Sequence, residues 1–462
     1  MRKSRLLVVG VVAAALGALP VAFAIGASTA SSGLSTQDLA LIGGVIQLVQ
    51  RDYVHPVSAE ELTDDALKGM LTRLDPHSDY MNQEEFQETQ SDISGKFGGL
   101  GIQISEQNGV PKVISPIDGT PAAKAGIQPG DLIVSIDGKS TQGQSLNKIV
   151  GVLRGDPNTK VTISILRGNK APFDVSITRQ IISVQTVKSN LEANNIGYVR
   201  VTEFGESTPQ DFKKAVNDLK QKAGGHLNGL VLDLRNDPGG LLTSAVSIAG
   251  NFLDGGKVVT IRGRRSDDQQ AFDVPDGGML LPQQTPIVVL INGASASASE
   301  IVAGALQDRH RATIMGTQSF GKGSVQTVIP LKGHGALRLT TALYYTPNGR
   351  SIQGQGITPD DVVEAPKDQQ VAGLELSENS LQGAFANPGS LNTPAPAPAA
   401  GASTPTPGAK NGGKPVYSAP IKIDLIGTPD DGQLKAATAF LDKTHKTTTG
   451  EGQASQTQAP KP

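Results

Sequence analysis

The sequence predicts a multidomain protein of the α/β (α+β) class. Apolar residues recur at helical spacing near the N-terminus, short strand-like runs follow between residues 96 and 180, and strand, helix and strand alternate from residue 181. A chain of 462 residues, 37% of them hydrophobic, is long enough for several domains that each bury their own core.

Composition narrows the classes of function. The net charge of −2 provides no basic surface for nucleic acid, so no nucleic-acid partner is predicted. The absence of cysteine excludes thiol catalysis, disulfides and cysteine-based zinc sites. The six histidines are scattered without metal-ligand spacing, so neither a metal nor a cofactor is predicted.

The first 24 residues have the pattern of a secretory signal peptide. Basic residues precede an apolar run from Leu6 to Leu19, and Ala22-Phe23-Ala24 offers a small-x-small cleavage site. Apolar character continues to Ala27, so an uncleaved membrane anchor is the alternative, although Pro20 interrupts it. The chain is therefore predicted to be exported, to the periplasm or cell envelope.

Residues 34–95 are predicted to form a helical N-terminal region. TQDLALIGGVIQLVQRDYV at 36–54 and AEELTDDALKGMLTRLD at 59–75 both space their apolar residues helically. LDPHSDYM at 74–81 indicates a turn-rich connector. The simplest interpretation is packing within the chain; the alternative is a role in dimer contacts and in covering an active site.

Residues 96–180 resemble a PDZ domain. The resemblance lies in KFGGLGIQI followed by TPAAKAGIQPGDLIVSIDGKS and short alternating strands. It implies that the loop amides of Gly98, Gly99, Leu100 and Gly101 bind a peptide's terminal carboxylate, with Leu100 and Ile102 beside the pocket for its last side chain. The strand from about Gly101 to Ser105 would then pair with the peptide.

Arg154, in VGVLRGDPNT, follows the predicted helix of this region. It resembles a position thought to couple peptide occupancy to activation. An arginine at the end of a helix is equally well explained by its favourable interaction with the helix dipole.

Residues 181–366 are predicted to form the largest domain. The run PIVVLI at 286–291 indicates a buried strand, and Ser295, Ser297 and Ser299 lead from it into a helix. A later Gly-rich loop places Lys322 between two glycines. Alone, these features would indicate a helix cap and a solvated loop charge, but a desolvated lysine can also act as the base for a serine nucleophile.

The combination NGASASASEIVAGALQD followed by FGKGSVQ resembles the active-site signature of the carboxy-terminal processing peptidases, or tail-specific proteases. The resemblance implies a crotonase-like protease core with an inserted PDZ domain. It makes Ser297 the nucleophile, Lys322 the base and Gln326 the residue that orients the lysine. Ala298 and either Gly239 or Gly240, in DLRNDPGG, would supply the oxyanion-hole N–H groups. Asp237 stands where relatives often carry asparagine, which puts the donor geometry in question.

The amino-acid composition changes in the C-terminal part of the chain. Residues 367–420 are predicted to be a Pro/Ala/Thr-rich linker, because they contain too few apolar residues to bury a core. Residues 421–446 are predicted to contain one short helix, at QLKAATAFLD (433–442), and 447–462 to be a disordered tail.

Together these features predict an exported serine endopeptidase that captures the C-termini of proteins through its PDZ domain. Protein or peptide substrates are the expected partners; an adaptor lipoprotein and a homo-oligomer are possible ones. A catalytically inert PDZ adaptor of the cell envelope is the first rival, disfavoured by intact Ser297, Lys322 and Gln326. A crotonase-like acyl-CoA enzyme is the second, disfavoured by the export signal.

Overall fold

A computed structural model describes residues 34–107, 109–117, 119–168, 170–371, 377–389 and 421–454. The predicted signal segment and most of the predicted linker lie outside these residues. The chain divides into two compact units. The first contains residues up to 87 with 324–342 and 381–385, and the second contains 88–323, 343–380 and 386 onward. No helix in the described part of the chain is long and apolar enough to cross a membrane.

The N-terminal region is helical, as predicted. It contains α1 (Thr36–Asp52), α2 (Ala59–Leu71), β1 (Asp79–Met81) and α3 (Gln83–Ser94). Helix α1 begins at a capping box in which Ser35 and Asp38 bond reciprocally, yet none of its residues is buried. The described part of the chain therefore fully buries none of its apolar residues.

The predicted connector at 74–81 is partly a strand. In the first unit β1 pairs antiparallel with β18 (Ala336–Tyr345), and β17 (Ser324–Pro330) pairs with β18 as well. Asp75 is buried and accepts hydrogen bonds from Ser78 and Thr340. The turn-rich sequence led to a wrong prediction because polar Asp75 forms its hydrogen bonds within the protein.

Residues 96–183 form a compact β-rich domain. Its elements are β2 (Lys96–Gly99), β3 (Ile102–Gln107), β4 (Val110–Pro116), α4 (Pro121–Lys124), β5 (Leu132–Ile136), β6 (Lys139–Ser140), α5 (Leu146–Leu153), β7 (Lys160–Leu166), β8 (Phe173–Thr178) and β9 (Gln180–Ser183). The main sheet has the order β3-β4-β5-β7-β8, with β6 beside β5, and β2 pairs separately with β9. The described strands thus leave β3 at a sheet edge.

The largest domain is built on a six-stranded sheet with the order β10-β11-β12-β15-β16-β19. Its strands are β10 (Val187–Glu192), β11 (Ile196–Val201), β12 (Gly229–Asp233), β15 (Ile287–Ile291), β16 (Thr313–Gly316) and β19 (Asp361–Val362); β13 (Lys257–Gly263) and β14 (Gln269–Asp273) form a hairpin. Strands β11 through β19 run parallel and β10 antiparallel. All residues of β11, β12 and β15 are buried, as expected for a parallel sheet covered on both faces.

Helices cover this sheet. They are α6 (Thr208–Lys222), α7 (Leu242–Gly250), α8 (Ala298–Asp308) and α9 (Gly432–Ala454). Leu434, Ala437 and Leu441 of α9 belong to one apolar cluster with Val231 and Leu290 of the sheet. The C-terminal helix is therefore part of the core.

The structure corrects the predictions for the C-terminal part. Helix α9 has 23 residues, so it extends through 447–454, which were predicted to be disordered. Within the predicted linker 367–420, Lys367–Gln369 and Glu378–Ser380 form 3₁₀ turns, and Glu378 is wholly buried. The composition of this segment predicted a linker because it does not show that Glu378 has polar partners elsewhere in the fold.

Candidate active site

Three loops meet where three neighbouring parallel strands end. Residues 234–240 follow β12, residues 292–297 follow β15 and residues 317–323 follow β16. We call them the oxyanion turn, the nucleophile loop and the lysine loop. Because the carboxyl ends of parallel strands lie along one edge of a sheet, the topology brings together residues far apart in sequence.

Ser297 lies at the start of α8 in an unusual backbone conformation. Its φ of 55° and ψ of −110° are sparsely populated for a residue with a Cβ atom, and 8% of its surface is exposed. Helix α8 begins at Ala298, directly after this serine, so Ser297 lies beside the N-terminus of the helix. Strain of this kind persists where the surroundings enforce it, often at functional positions.

Glu300 holds Ser297 in this backbone conformation. The sequence did not reveal this role of Glu300. Its buried carboxylate accepts the N–H groups of Ser297 (2.8 Å), Gly321 (2.6 Å) and Lys322 (2.9 Å), and the hydroxyl of Ser319 (2.6 Å). The Ser297 and Lys322 N–H groups bond to the same oxygen, Oε2. One carboxylate thus joins the nucleophile loop to the lysine loop. The signal in the sequence was a glutamate three residues after a helix-start serine, the spacing of a capping box.

Burial dominates the electrostatics of Glu300. It raises the pKa of the carboxyl group to about 7, against the opposing effect of the hydrogen bonds from Ser319, Gly321, Ser297 and Lys322. The group therefore changes charge near neutral pH.

The glycines of the lysine loop are required by close contacts. A Cβ atom on Gly323 would lie 2.2 Å from the backbone nitrogen of Gln353. The Gly323 N–H donates to the Gln353 side chain (3.0 Å), whose amide donates in turn to buried Glu378 (3.0 Å). Lys322 itself is half-buried. The loop is thus held on one side by Glu300 and supported on the other through Gln353.

Gln326 belongs to the first unit. Its side-chain amide donates to Ser324 (2.9 Å) and Thr340 (3.2 Å). Its predicted role in orienting Lys322 stays a prediction.

The oxyanion turn packs against Ser297. A Cβ atom on Gly239 would lie 2.9 Å from both the Cβ of Ser297 and the nitrogen of Ala298, so only glycine fits there. The Gly239 N–H already donates to the Asp237 carboxyl (2.8 Å). In contrast, the N–H groups of Gly240 and Ala298 donate to no other described residue. Of the two glycines that the sequence left open, the geometry therefore favours Gly240 as the donor.

Asp237 connects the oxyanion turn to the nucleophile loop. Its carbonyl oxygen accepts the Ala296 N–H (3.0 Å) and the Ser299 hydroxyl (3.0 Å). Its side chain is buried, and Oδ2 has no hydrogen-bond partner among the described residues. Burial raises the pKa of this carboxyl well above its ordinary value, which favours its neutral form.

The serines beside the nucleophile have structural bonds. The hydroxyl of Ser295 donates to the carbonyl of Leu234 (2.7 Å) and accepts the N–H of Asn292 (2.9 Å). The hydroxyl of Ser299 bonds to Asp237, as described above. The hydroxyls of Ser295 and Ser299 thus both bond to carbonyl oxygens of the oxyanion turn.

In the β-rich domain the predicted peptide-binding residues divide into two groups. Gly98 and Gly99 pair with Ile181 and Gln180 as part of β2, so they do not belong to the loop, contrary to prediction. The loop consists of Leu100 and Gly101, whose carbonyls accept the Ala122 and Ile117 N–H groups. The loop is therefore fixed from its carbonyl side.

The N–H groups of Leu100 and Gly101 donate to no group in the described part of the chain. The Leu100 side chain is buried with Ile149 and Leu153 of α5, and Ile102, partly buried, packs against the same cluster. Arg154, directly after α5, stacks its guanidinium over the ring of Phe97, 4.5 Å from the ring centre.

Comparisons with known proteins agree with this architecture. The sequence model described as Peptidase family S41 matches residues 195–363, and a PDZ domain model matches residues 112–167. A third, described as the activating protease CtpB N-terminal domain, matches residues 23–85. These models place a peptidase domain after a PDZ domain in the chain.

Curated relatives define the family more closely. A carboxy-terminal-processing protease of Bartonella bacilliformis is 51% identical over 351 residues, which cover 75% of this chain and 80% of the relative. The carboxy-terminal processing protease CtpA of Bacillus subtilis is 34% identical, over 78% of this chain and 76% of the relative. Among solved structures, a photosystem II D1 C-terminal processing protease has 29% identity and a TM-score of 0.41, over 72% of this chain and 94% of the other. The chain is a member of the carboxy-terminal processing protease family.

Proposed function

We propose that the protein is a serine endopeptidase that uses Ser297 as nucleophile and Lys322 as base. The observation that carries the proposal is the shared oxygen of Glu300, which binds the backbone N–H groups of both residues. A nucleophile and a base must be held within hydrogen-bond reach in the reacting complex, and this carboxylate fixes the two backbones that present them.

The proposed reaction has two halves. Neutral Lys322 takes the proton of the Ser297 hydroxyl as Oγ attacks the peptide carbonyl, and the N–H groups of Ala298 and Gly240 stabilise the resulting oxyanion. The same lysine then protonates the departing amine. Water, activated by Lys322, hydrolyses the acyl-enzyme and restores the serine.

Single substitutions at the two residues test this mechanism. Ser297→Ala and Lys322→Ala should each reduce peptide cleavage to background with unchanged circular dichroism, because the pair acts as a unit. Ser295→Ala and Ser299→Ala are matched controls in the same segment, and each should retain most of the activity. Turnover near the wild-type rate in either dyad variant would exclude the mechanism, and inactivity of the wild-type chain on unfolded proteins would favour the inert adaptor.

We also propose that the PDZ domain binds the C-terminus of the substrate. The available N–H groups of Leu100 and Gly101 suit a carboxylate, and the edge of β3 suits an added peptide strand. Amidation of a peptide's C-terminus removes the charge, so its cleavage should slow roughly tenfold relative to the free acid. Equal rates for the two peptides would contradict this role.

The location and assembly of the protein are proposals from the sequence and from α1. Export predicts a mature chain that begins after Ala24, which N-terminal sequencing can check; retention in the membrane fraction would favour the anchor. Leu39, Ile42 and Val45 of α1 are exposed, which favours contact with a second copy of the chain. Light scattering should then show a dimer or larger oligomer, and polar substitutions at these residues should dissociate it.

A further inference from the structure

Arg235, the first charged residue after β12, lies in a cluster of charges that is closed to solvent. Its guanidinium donates to both carboxylate oxygens of Asp233 (2.9 and 2.5 Å) and to both oxygens of Asp431 (3.0 and 2.6 Å). The Gln433 side chain accepts a further bond at 2.9 Å. All three charged side chains are fully buried.

Asp431 is itself held firmly. It precedes α9 and accepts the N–H groups of Leu434 (3.0 Å) and Gly427 (2.9 Å). Burial alone would raise the pKa of Asp431, but its bonds and charge contact with Arg235 lower it below the ordinary value. A charged carboxylate at the start of α9 therefore binds the arginine that begins the oxyanion turn.

A second contact joins the same two parts of the chain. The side-chain amide of Asn236 donates to the carbonyl of Ile421 (2.9 Å). Its side-chain oxygen accepts the amide of Asn292 (2.7 Å), and its N–H donates to Asn292 (3.1 Å). Asn292 is the first residue of the nucleophile loop, so this chain of bonds runs from Ile421 to the segment that carries Ser297.

The remaining turn has little room to adapt. Asn236 adopts a φ of 56°, and the Gly239 backbone lies against Ser297 and Ala298. A displacement of Arg235 and Asn236 would therefore move the N–H groups of Gly239 and Gly240 relative to Ser297. Misplacement of a catalytic group by about 1 Å can cost a hundredfold in rate.

We propose that residues 421–433 are a positioning element for catalysis, in which Asp431 acts through Arg235 to fix the oxyanion turn. Ile421 and Gln433 supply the additional contacts to the turn. The proposal rests on the proposed role of Ser297, but it concerns a residue 134 positions further along the chain that contacts neither substrate nor nucleophile. It assigns the C-terminal segment a part in turnover as well as in folding.

The test uses the full-length chain with Asp431→Asn, which preserves the shape of the side chain and removes its charge. Since an oxyanion donor contributes mainly to the transition state, kcat should fall roughly a hundredfold while KM changes less than about twofold. Labelling of Ser297 by a phosphonate, which also forms a tetrahedral adduct, should slow to a similar degree.

Leu441→Ala is the matched control, because Leu441 is buried on α9 but belongs to the apolar cluster and not to the charge cluster. It should lower the melting temperature, yet leave kcat and phosphonate labelling near wild type below that temperature. If Leu441→Ala loses kcat as much as Asp431→Asn, the effect is general destabilisation and the proposal is wrong. Wild-type kcat in folded Asp431→Asn also overturns it.

Asp431→Asn leaves a buried arginine with one counterion, so it could fail to fold. If Asp431→Asn does not fold, Gln433→Met tests the proposal instead, because it removes one acceptor from Arg235 and keeps the side-chain length. Its kcat should fall about fivefold at constant KM, and an unchanged kcat would reject the proposal. Wild-type labelling at Ser297 by the phosphonate is the separate check on the proposed function: its absence would reject the nucleophile, whatever these variants do.

Discussion

The two walls of the candidate active site, the lysine loop and the oxyanion turn, are held in place from different parts of the chain. On one side, Glu300 lies three positions from Ser297 and gathers donors no more than 22 residues away. On the other, Arg235 is bound by Asp431 and Gln433, almost 200 residues further along the chain. The lysine loop is thus supported from nearby sequence, and the oxyanion turn by the end of the fold.

The two walls also differ in charge. Glu300 is a buried carboxylate that accepts hydrogen bonds from neutral donors, and burial raises its pKa to about 7. Asp431 is paired with Arg235, which keeps its pKa low. Protonation near neutral pH should therefore affect the lysine loop while it leaves the support of the oxyanion turn charged.

The largest expected effect is at Glu300. Glu300→Gln replaces one acceptor oxygen with an NH₂ group that faces N–H donors, so kcat should fall about a thousandfold. Ser319→Ala removes one donor to Glu300 and keeps the carboxylate, so kcat should fall less than tenfold in this variant. Steady-state kinetics on a peptide substrate checks both, and equal losses would show that Glu300 is not the central support of the lysine loop.

Ionisation of Glu300 should change activity and stability in opposite directions. Its folded pKa of about 7 lies above its ordinary value of 4.5, so the folded state binds the proton more strongly than the unfolded chain. Stability should therefore decrease as pH rises from 4.5 to about 7, by about 3 kcal/mol, and then level off. Activity should increase over the upper part of that range, because the ionised form accepts all four donors. Unfolding measurements on wild type and Glu300→Gln check this, and parallel curves for the two would contradict it.

A smaller effect is expected at Asp237 on the opposite wall. Asp237→Asn keeps an acceptor for the Gly239 N–H and removes a buried group whose ionisation is opposed by desolvation. Because the folded pKa is raised, wild type loses stability as pH rises above the ordinary carboxyl value. The variant should therefore melt higher than wild type at pH 8, with a gain that shrinks toward pH 4. kcat should change less than about threefold; a gain independent of pH would show that this carboxyl does not titrate as described.

The sequence was informative where a short stretch contains both a residue and its context. NGASASAS and FGKG singled out Ser297 and Lys322, and the structure links the backbones of these two residues through Glu300. The glutamate at position 300 stood within the same motif, but its four bonds depend on a loop that returns after β16, which spacing alone does not reveal.

Contacts over longer distances were not predictable in this way. The polar composition of residues 367–420 indicated a linker, yet buried Glu378 contacts Gln353 beneath the lysine loop. Likewise, Asp431, which precedes α9, reaches the core and pairs with buried Arg235, a contact between residues 196 positions apart. Gly98 and Gly99 looked like loop residues until their pairing with β9 placed them in a strand. Each depends on a partner that only the tertiary structure supplies.

The pairing of β2 with β9 places the two ends of the PDZ domain side by side. Lys96 lies opposite Ser183, so the chain enters and leaves this domain at nearly the same point. A short turn between these residues should therefore be able to replace the domain. If the PDZ domain captures substrates as proposed, its exchange would change which C-termini are bound and leave the residues of the candidate active site in place.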